Sequence, residues 1–366
     1  MRRFSLFLIL FVSLWGVLSA CSPGQRGQAK DIKTEPYVVV SVGDINLAED
    51  VSPLLEEHGG GYSFEHLRDH IKGDQLLGNL ETVATEFILD PPLKKGSIHR
   101  MEPKYLDTLK DEGFTLLSLA NNHAVDQGSE GLLRQIEHMK QRGMKWVGGG
   151  ANLGAAQRAE IFEGGGLRVA VIGMYKVYKS YEARGFYAQP DKAGIWGLRS
   201  RQLTSVIKRL RRKHDVDYVI ASVHWGANYK PETASQKRLA RELVGAGVDL
   251  INGHGGHMTQ GVELVDGAPV VYGLGNFTFG SKGVYGQKSP NNRTSAIARY
   301  VFKDGWLDSI ELLPIRTDNR RVKYKPRPAD REQASAEFEP VIGRYGLPWE
   351  RREDGWYVWR LSRSRP

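Results

Sequence analysis

Polar side chains with metal-binding chemistry follow almost every apolar run in the central part of the chain. They are Asp44, Glu81, Asn122, His123, His224, His254 and His257. Carboxylate, amide and imidazole groups are the ligands that hard and borderline divalent cations prefer. One histidine after a strand would more often be structural, but this many such residues together predict a metal or catalytic cluster.

The other six histidines are predicted to lie at the solvated surface. Five of them lie in helical or charged segments: His58, His66, His70, His138 and His214. His99 lies in a lysine-rich loop with no strand before it, so we expect an exposed side chain there as well.

The cluster needs elements that bring its residues together. Apolar runs typical of strands cover 37–42, 75–77, 115–119, 167–173, 216–223, 248–251 and 270–274. Sequences with helical periodicity lie between them. In one of these segments Ser129 is the predicted N-cap, and another has the sequence TASQKRLARELVGAG. This alternation predicts a layered α/β fold. Such sheets bind ligands beyond the carboxyl ends of their strands, where the polar residues lie.

Composition excludes several classes of protein. The chain has 366 residues, 40% hydrophobic and 25% charged, so it is globular, with two domains or one large α/β domain with additions. Its single cysteine excludes an internal disulfide and a thiolate zinc site. The net charge of +9 indicates either a solvated basic surface or attraction to an anionic partner. No nucleic-acid-binding module is recognisable, so nucleic acid is not an expected partner.

Residues 1–20 are predicted to be a lipoprotein signal peptide. Arg2 and Arg3 precede an apolar run of about 15 residues, shorter than a membrane span. The run ends in LSAC, which resembles the bacterial lipobox, so Cys21 would carry a lipid and residues 21–36 would be a flexible tether. The chain would face the periplasm or exterior, on the outer membrane of a two-membrane organism. The alternative is an ordinary secreted protein whose cleavage site precedes a cysteine.

Six segments resemble, in order, the capsule-synthesis CapA family, which is linked to poly-γ-glutamate. They are VGDINL, GNLETVAT, LSLANNHAVDQGSEGL, VGGGANLGAAQRA, VIASVHWGANY and VDLINGHGGHMTQGVELVDGAPVVYGLGNF. The family's fold is similar to the calcineurin-like metallophosphoesterases. The resemblance implies an α/β (α+β) fold of two facing mixed β-sheets flanked by helices, with the site at the C-terminal ends of the strands. This CapA-like domain would cover 37–316, before a basic C-terminal extension, 317–366.

The resemblance also implies roles for the clustered residues. One or two divalent ions (Mn, Zn, Fe or Mg) would be held by Asp44, Glu81, Asn122, His224, His254 and His257. His123 would face the substrate as an acid or charge stabiliser. Asp126, three residues later, would orient His123 or would be a loop or helix-cap carboxylate. Two such ions can clamp the attacking and leaving oxygens of a hydrolysis.

Four further residues are candidates for substrate contact: Asn46, Trp225, Asn228 and Asn276. Asn46 stands where metallophosphoesterases usually have His, and Asn228 stands where the family commonly has Glu. GHGGH replaces the family's usual GHHPH, and Gly255-Gly256 is expected to make that loop more mobile. A site with less negative charge would bind its metals more weakly, or bind only one.

These features predict a lipid-anchored, metal-dependent hydrolase of cell-envelope polymer assembly. It would act on phosphoester or amide bonds of an anionic substrate such as poly-γ-glutamate, beside integral-membrane polymer synthesis proteins. One alternative is a non-catalytic accessory protein that binds the polyanion during export and keeps a vestigial metal site. Another is a broad-specificity periplasmic phosphoesterase.

Near the C-terminus, the sequence WYVWRL (356–361) predicts an edge strand packed on the core or an interfacial aromatic patch.

Overall fold

The computed structural model describes residues 34–93, 96–281 and 294–362. The predicted signal peptide, Cys21 and tether residues 21–33 lie outside the described residues. The described residues all belong to one compact unit. Among the described residues, no helix is long and apolar enough to cross a membrane.

Twenty strands, numbered β1 to β20 in chain order, lie in the described residues, and ten of them form the larger sheet. These ten are β1 (Tyr37–Asn46), β2 (Gln75–Leu80), β5 (Leu116–Ser118), β6 (Lys145–Val147), β15 (Asn276–Phe279), β16 (Thr294–Lys303), β17 (Trp306–Arg316), β18 (Arg327–Pro328), β19 (Glu350–Arg351) and β20 (Tyr357–Arg360). Their order is β19-β20-β17-β16-β1-β2-β5-β6, with β15 beside β1 and β18 beside β17. β1, β2, β5 and β6 are parallel, whereas β16 runs antiparallel to β1, so the sheet is mixed.

The smaller sheet contains six strands in the order β13-β14-β12-β11-β9-β8. They are β8 (Glu160–Gly164), β9 (Leu167–Tyr175), β11 (Tyr218–His224), β12 (Leu250–His254), β13 (Val262–Val265) and β14 (Ala268–Val271). β9, β11, β12 and β14 are parallel, and the two edge strands are antiparallel to their neighbours. Two short ribbons complete the strands: β3 (Val83–Ala84) with β4 (Arg100–Met101), and β7 (Gly149–Gly150) with β10 (Gly194–Ile195).

The two sheets face each other across a shared apolar layer. Val39 of β1 and Leu77 of β2 pack there with Val169 and Ile220 of the smaller sheet. The next residue of β1, Val40, points to the opposite side, into the cluster beneath the helices of the larger sheet. A strand buried on both faces in this way has the continuous apolar sequence that YVVVSV shows. The predicted architecture of two facing mixed sheets is confirmed.

Helices cover the outer face of each sheet. They are α1 (Ser52–His58), α2 (Tyr105–Asp111), α3 (Gly128–Gln141), α4 (Leu153–Ala156), α5 (Lys179–Ala183), α6 (Ser200–His214) and α7 (Ala234–Gly245), followed by the short helical turns Asn319–Val322, Arg331–Gln333 and Glu339–Ile342. Thr233 caps α7 through a reciprocal pair with Gln236, as its sequence indicates. The predicted cap of α3 is wrong, because the helix begins at Gly128 and the Ser129 hydroxyl donates to the Ala193 carbonyl.

The residues after 316, predicted as an extension, contribute strands and core to the same unit. β20 pairs with β17 on one side and with β19 on the other, so the strand interpretation of WYVWRL is confirmed. It lies one strand in from the edge. Phe338, Ile342 and Trp359 join the apolar layer that includes Val39.

A buried carboxylate ties this C-terminal region to the rest of the fold. Glu232 Oε1 accepts hydrogen bonds from Arg344 (2.5 Å) and from the Tyr345 hydroxyl (2.6 Å), and Oε2 accepts from the Gly261 amide (3.1 Å). Burial raises the pKa of Glu232, but the bonds from Tyr345 and Arg344 outweigh burial, so the pKa is lowered.

We expect Glu232→Ala to lower the free energy of unfolding by about 2 kcal/mol at pH 7, since charge-assisted buried hydrogen bonds are lost. Because the folded-state pKa is depressed, the stabilisation is present above the ordinary value of 4.5 and is lost as pH falls through the folded-state value. Urea denaturation at pH 7, and at a series of pH values below 4.5, measures both effects. The exposed Glu353→Ala is the control, and equal stability of Glu232→Ala and wild type at pH 7 would contradict the prediction.

Candidate metal centre

The two sheets place two carboxylates and two imidazoles at the carboxyl ends of their parallel strands. Asp44 lies near the end of β1, and Glu81 directly follows β2. His224 and His254 end the neighbouring strands β11 and β12, where they are register partners. Both carboxylates have no solvent exposure. The larger sheet therefore supplies negative charge and the smaller sheet supplies imidazoles.

The ligand atoms of these residues lie close together. The Nδ1 atom of His257, in the loop after β12, is 3.3 Å from Asp44 Oδ2 and 3.8 Å from Glu81 Oε2. His224 Nε2 is 3.6 Å from Glu81 Oε1, and His254 Nδ1 is 3.8 Å from Asp44 Oδ1. Asp44, Glu81 and His257 each offer a ligand atom within 4.8 Å of the others.

This donor set fits a divalent cation. Two ligand atoms that each lie about 2.1 Å from a tetrahedral cation are separated by roughly 3.4 Å, close to the distances between these side chains. His254 Nδ1 is buried and has no hydrogen-bond partner within residues 34–93, 96–281 and 294–362, although it faces Asp44. Two buried carboxylates also require positive charge nearby, because an uncompensated buried charge is strongly unfavourable.

The pKa values of Asp44, His257 and His254 reflect the balance between burial and the opposite charges nearby. Burial raises the pKa of Asp44, but the hydrogen bond from His257 and the nearby histidines outweigh burial and lower the pKa to about 2. Burial lowers the pKa of His257, but Glu81 and Asp44 outweigh it and raise the pKa to about 9. For His254 burial dominates and lowers the pKa to about 4. These directions favour an ionised Asp44 and a neutral His254, the forms that bind a metal ion, and a protonated His257, which would lose its proton on binding a cation.

Two asparagines that were not predicted as site residues hold the ligands in place. Asn79 Nδ2 lies 2.8 Å from Asp44 Oδ1 and 3.1 Å from His224 Nδ1. Asn121 donates to Asn79 Oδ1 and to the Leu80 carbonyl, next to Glu81. Partners of this kind fix the orientation of metal ligands. Their sequence signal is the asparagine within GNLE and the first asparagine of ANNH.

The predicted acid His123 is buried and is oriented by Asp126. His123 Nδ1 is 2.5 Å from Asp126 Oδ2, and Nε2 is 3.9 Å from Glu81 Oε1. Asp126 does not cap α3, whose N-cap residue is Gln127. Between the two interpretations of Asp126, the geometry favours the orienting carboxylate. Asn122 is half-buried beside His123.

The prediction that His99 is exposed is wrong. His99 is 5% exposed, and its ring centroid lies 3.9 Å from that of His123. The sequence shows no apolar run before His99, yet Arg100–Met101 forms β4 and pairs with β3. That pairing draws the loop against the site.

The four substrate-contact candidates have different environments. Asn46 is buried, and its Oδ1 accepts from the Ala48 amide, which makes it a turn residue. Trp225 is buried and donates to the Tyr272 carbonyl, a position at odds with substrate contact. Asn276 is 6% exposed, with Oδ1 2.9 Å from His257 Nδ1, a hydrogen bond that this nitrogen would give up on binding a cation. Asn228 is exposed and accessible to a substrate.

Two glycines permit the close approach of backbone at the site. Gly255 has φ +89°, its amide donates to Asp44 Oδ2 at 3.3 Å, and a Cβ there would lie 2.6 Å from His224 Nε2. A Cβ at Gly43 would lie 1.8 Å from the Gly275 carbonyl oxygen. In this arrangement the backbone of Gly255 lies directly against Asp44 and His224.

We expect Gly255→Ala to weaken divalent-metal binding by about 10- to 100-fold, because the new methyl group displaces His224 and strains the left-handed backbone. Titration calorimetry with Mn²⁺ on the full chain in detergent measures this. Gly245→Ala is the matched control, since a Cβ there meets nothing within 4 Å. Unchanged affinity in Gly255→Ala would contradict the prediction.

Comparison with known proteins finds relatives named for capsule and PGA biosynthesis. The chain is 26% identical over 349 residues to "Capsule biosynthesis protein CapA" of Bacillus anthracis, covering 92% of this chain and 82% of that protein. It is 27% identical over 313 residues to "PGA biosynthesis protein CapA" of Bacillus subtilis (84% and 78% covered). A probable polyglutamine synthesis accessory protein of Mycobacterium tuberculosis is 29% identical over 336 residues (87% of each chain).

One solved structure, a phosphatase from Mycoplasma pneumoniae, is similar with a TM-score of 0.41 and 12% identity, over 84% of this chain and all of that one. A family profile described as "Bacterial capsule synthesis protein PGA_cap" matches residues 38–281. The matched range contains every residue of the candidate metal centre. The chain belongs to the PGA_cap family of bacterial capsule synthesis proteins.

Proposed function

We propose that this protein is a lipid-anchored, metal-dependent hydrolase of cell-envelope polymer assembly. It would cleave phosphoester or amide bonds of an anionic substrate. The observation that carries the proposal is the pair of fully buried carboxylates, Asp44 and Glu81, which the larger sheet brings within 4 Å of histidine nitrogens from the smaller sheet. A structural role alone does not require so much buried charge at one point.

The residues around the centre have distinct roles in this proposal. Asp44, Glu81, His224, His254 and His257 would hold the cation, which supplies Lewis acidity for hydrolysis. The large share of imidazole ligands favours Mn, Fe or Zn over Mg, which prefers oxygen ligands.

His123 would act on the leaving group. Asp126 accepts from Nδ1 of His123 and stabilises its imidazolium form, so that Nε2 can hold a proton on the side facing Glu81. From there the proton can pass to a leaving oxygen or nitrogen. Asp126 fixes the ring orientation and does not itself need to reach the substrate.

An anionic substrate is supported by two basic residues whose backbone lies near the centre. Lys176 follows β9, and its amide donates to the carbonyl of His224. Lys230 follows Tyr229, whose ring centroid is 5.6 Å from that of His257. The relatives' names refer to capsule and PGA biosynthesis, which supports an acidic polymer such as poly-γ-glutamate as the substrate.

Membrane attachment through a lipid on Cys21 would place the site at the periplasmic or exterior face, next to integral-membrane polymer synthesis proteins. The LSAC motif supports this part of the proposal. We expect Cys21→Ser to move the protein from the membrane fraction to the soluble fraction after cell lysis, as detected by immunoblotting. Retention in the membrane fraction, with no change in apparent mass, would contradict lipid anchoring.

The central test combines metal content with turnover. We expect the full chain in detergent to hold divalent metal stoichiometrically by elemental analysis, and Asp44→Ala and His254→Ala to lose it. Hydrolysis of bis-p-nitrophenyl phosphate or γ-glutamyl-p-nitroanilide should fall at least a hundredfold in both variants, on the order expected when a metal is lost. The exposed His214→Ala is the control. A variant that keeps both metal and turnover would contradict the proposal.

The second candidate function is a non-catalytic accessory protein that binds the polyanion during export. It is favoured by the exposed Asn228, which adds no carboxylate to the site. In that case Asp44→Ala would still support polymer display on cells. The double charge reversal Lys176→Glu with Lys230→Glu would abolish the display. The hydrolase proposal instead predicts loss of display in the Asp44→Ala variant as well as in the double variant.

A further inference from the structure

One buried histidine beside the centre has no part in the chemistry described above. His99 is 5% exposed, although it lies in a loop rich in charged residues. Its ring centroid is 3.9 Å from that of His123, with an interplanar angle of 39°, the shortest distance between ring centroids among the described residues. The face of the His123 ring is therefore covered by a second imidazole.

The backbone of His99 acts on the same partner as His123. The His99 amide donates to Asp126 Oδ2 at 2.7 Å, and this oxygen also pairs with His123 Nδ1. The His99 backbone amide thus holds the Asp126 carboxylate, and that carboxylate orients His123. Asp126 fixes the His123 ring at its edge, and the His99 imidazole fixes it from its face.

A carboxylate holds His99 in turn. His99 Nδ1 pairs with Glu49 Oε1, and the Glu49 side chain is 32% exposed. Glu49 has φ +62°, a left-handed conformation that costs a non-glycine residue roughly 1 kcal/mol or more. The Phe279 ring lies perpendicular to the His99 ring, with 5.5 Å between the ring centroids. Surrounding contacts therefore keep Glu49 in an unfavourable conformation while it holds His99.

We propose that His99, held by Glu49, is a positioning residue for His123. This inference rests on the proposed hydrolase function, because the task it assigns is to keep His123 Nε2 aimed at the centre. His99 need not touch the substrate. Misplacing a catalytic group by about 1 Å can cost on the order of a hundredfold in rate, so a rigid face contact has a measurable effect.

The test compares three variants of the full chain in detergent. His99→Ala removes the ring, His99→Phe keeps an aromatic ring against His123, and His138→Ala is the matched control. His138 also pairs with a carboxylate, at 2.7 Å from Glu86, but it lies on α3 away from the site. All of these variants keep the backbone amide at position 99.

Turnover of bis-p-nitrophenyl phosphate gives the first readout. We expect His99→Ala to lower kcat by about 10- to 100-fold, with KM and metal content within about threefold of wild type. His99→Phe should recover most of the lost kcat, and His138→Ala should match wild type. A kcat for His99→Ala within twofold of wild type, at full metal content, overturns the inference.

Nuclear magnetic resonance with ring-¹⁵N-labelled histidine gives a second readout that needs no turnover. The Nδ1 proton of His123, in its 2.5 Å contact with Asp126, should give a downfield signal that is absent in His123→Asn. We expect that signal in wild type and His99→Phe, and its loss or broadening in His99→Ala. An unchanged signal in His99→Ala overturns the inference, whether or not the wild type hydrolyses a probe. Absence of turnover in the wild type would count against the hydrolase proposal alone.

Discussion

Two carboxylates buried without solvent exposure, Asp44 and Glu81, impose the main constraint on this structure. Uncompensated negative charge at that depth would be strongly destabilising, so positive or hydrogen-bonding groups must surround it. The larger sheet brings the carboxylates, and the smaller sheet brings His224 and His254 to face them. The centre therefore exists only when the two sheets pack together, and the fold and the site depend on each other.

The packing of the sheets is aligned by a polar contact within the layer between them. Ser41 on β1 and Asn252 on β12 are joined by a 2.8 Å hydrogen bond, and the Tyr300 hydroxyl of β16 donates to Asn252 Oδ1 at 2.6 Å. Asn252 Nδ2 also lies 3.0 Å from His254 Nε2. Because buried polar groups require matched partners, this contact specifies one register between the sheets. The same register places His254 opposite Asp44.

The C-terminal residues contribute to this arrangement at a distance. Through Glu232, Arg344 and Tyr345 hold the segment that leads from β11 into α7. The Tyr229 amide in that segment donates to the Gly256 carbonyl, within the loop that carries His257. A region that adds no ligand to the centre thus restrains the loop beside it. The proposed hydrolase would depend on these residues for geometry rather than for chemistry.

The sequence by itself determined the central strands of both sheets and most residues of the candidate metal centre. All seven predicted strands overlap observed strands, because the pattern of a strand buried on both faces is local. The residues that follow them, from Asp44 to His257, converge as the rule for parallel strand ends predicts. Only the tertiary structure decided the positions of His99, Asn79 and Trp225. Their environments come from contacts between residues far apart in the chain, such as His99 with Glu49 and Asn79 with His224, and no local pattern specifies these contacts.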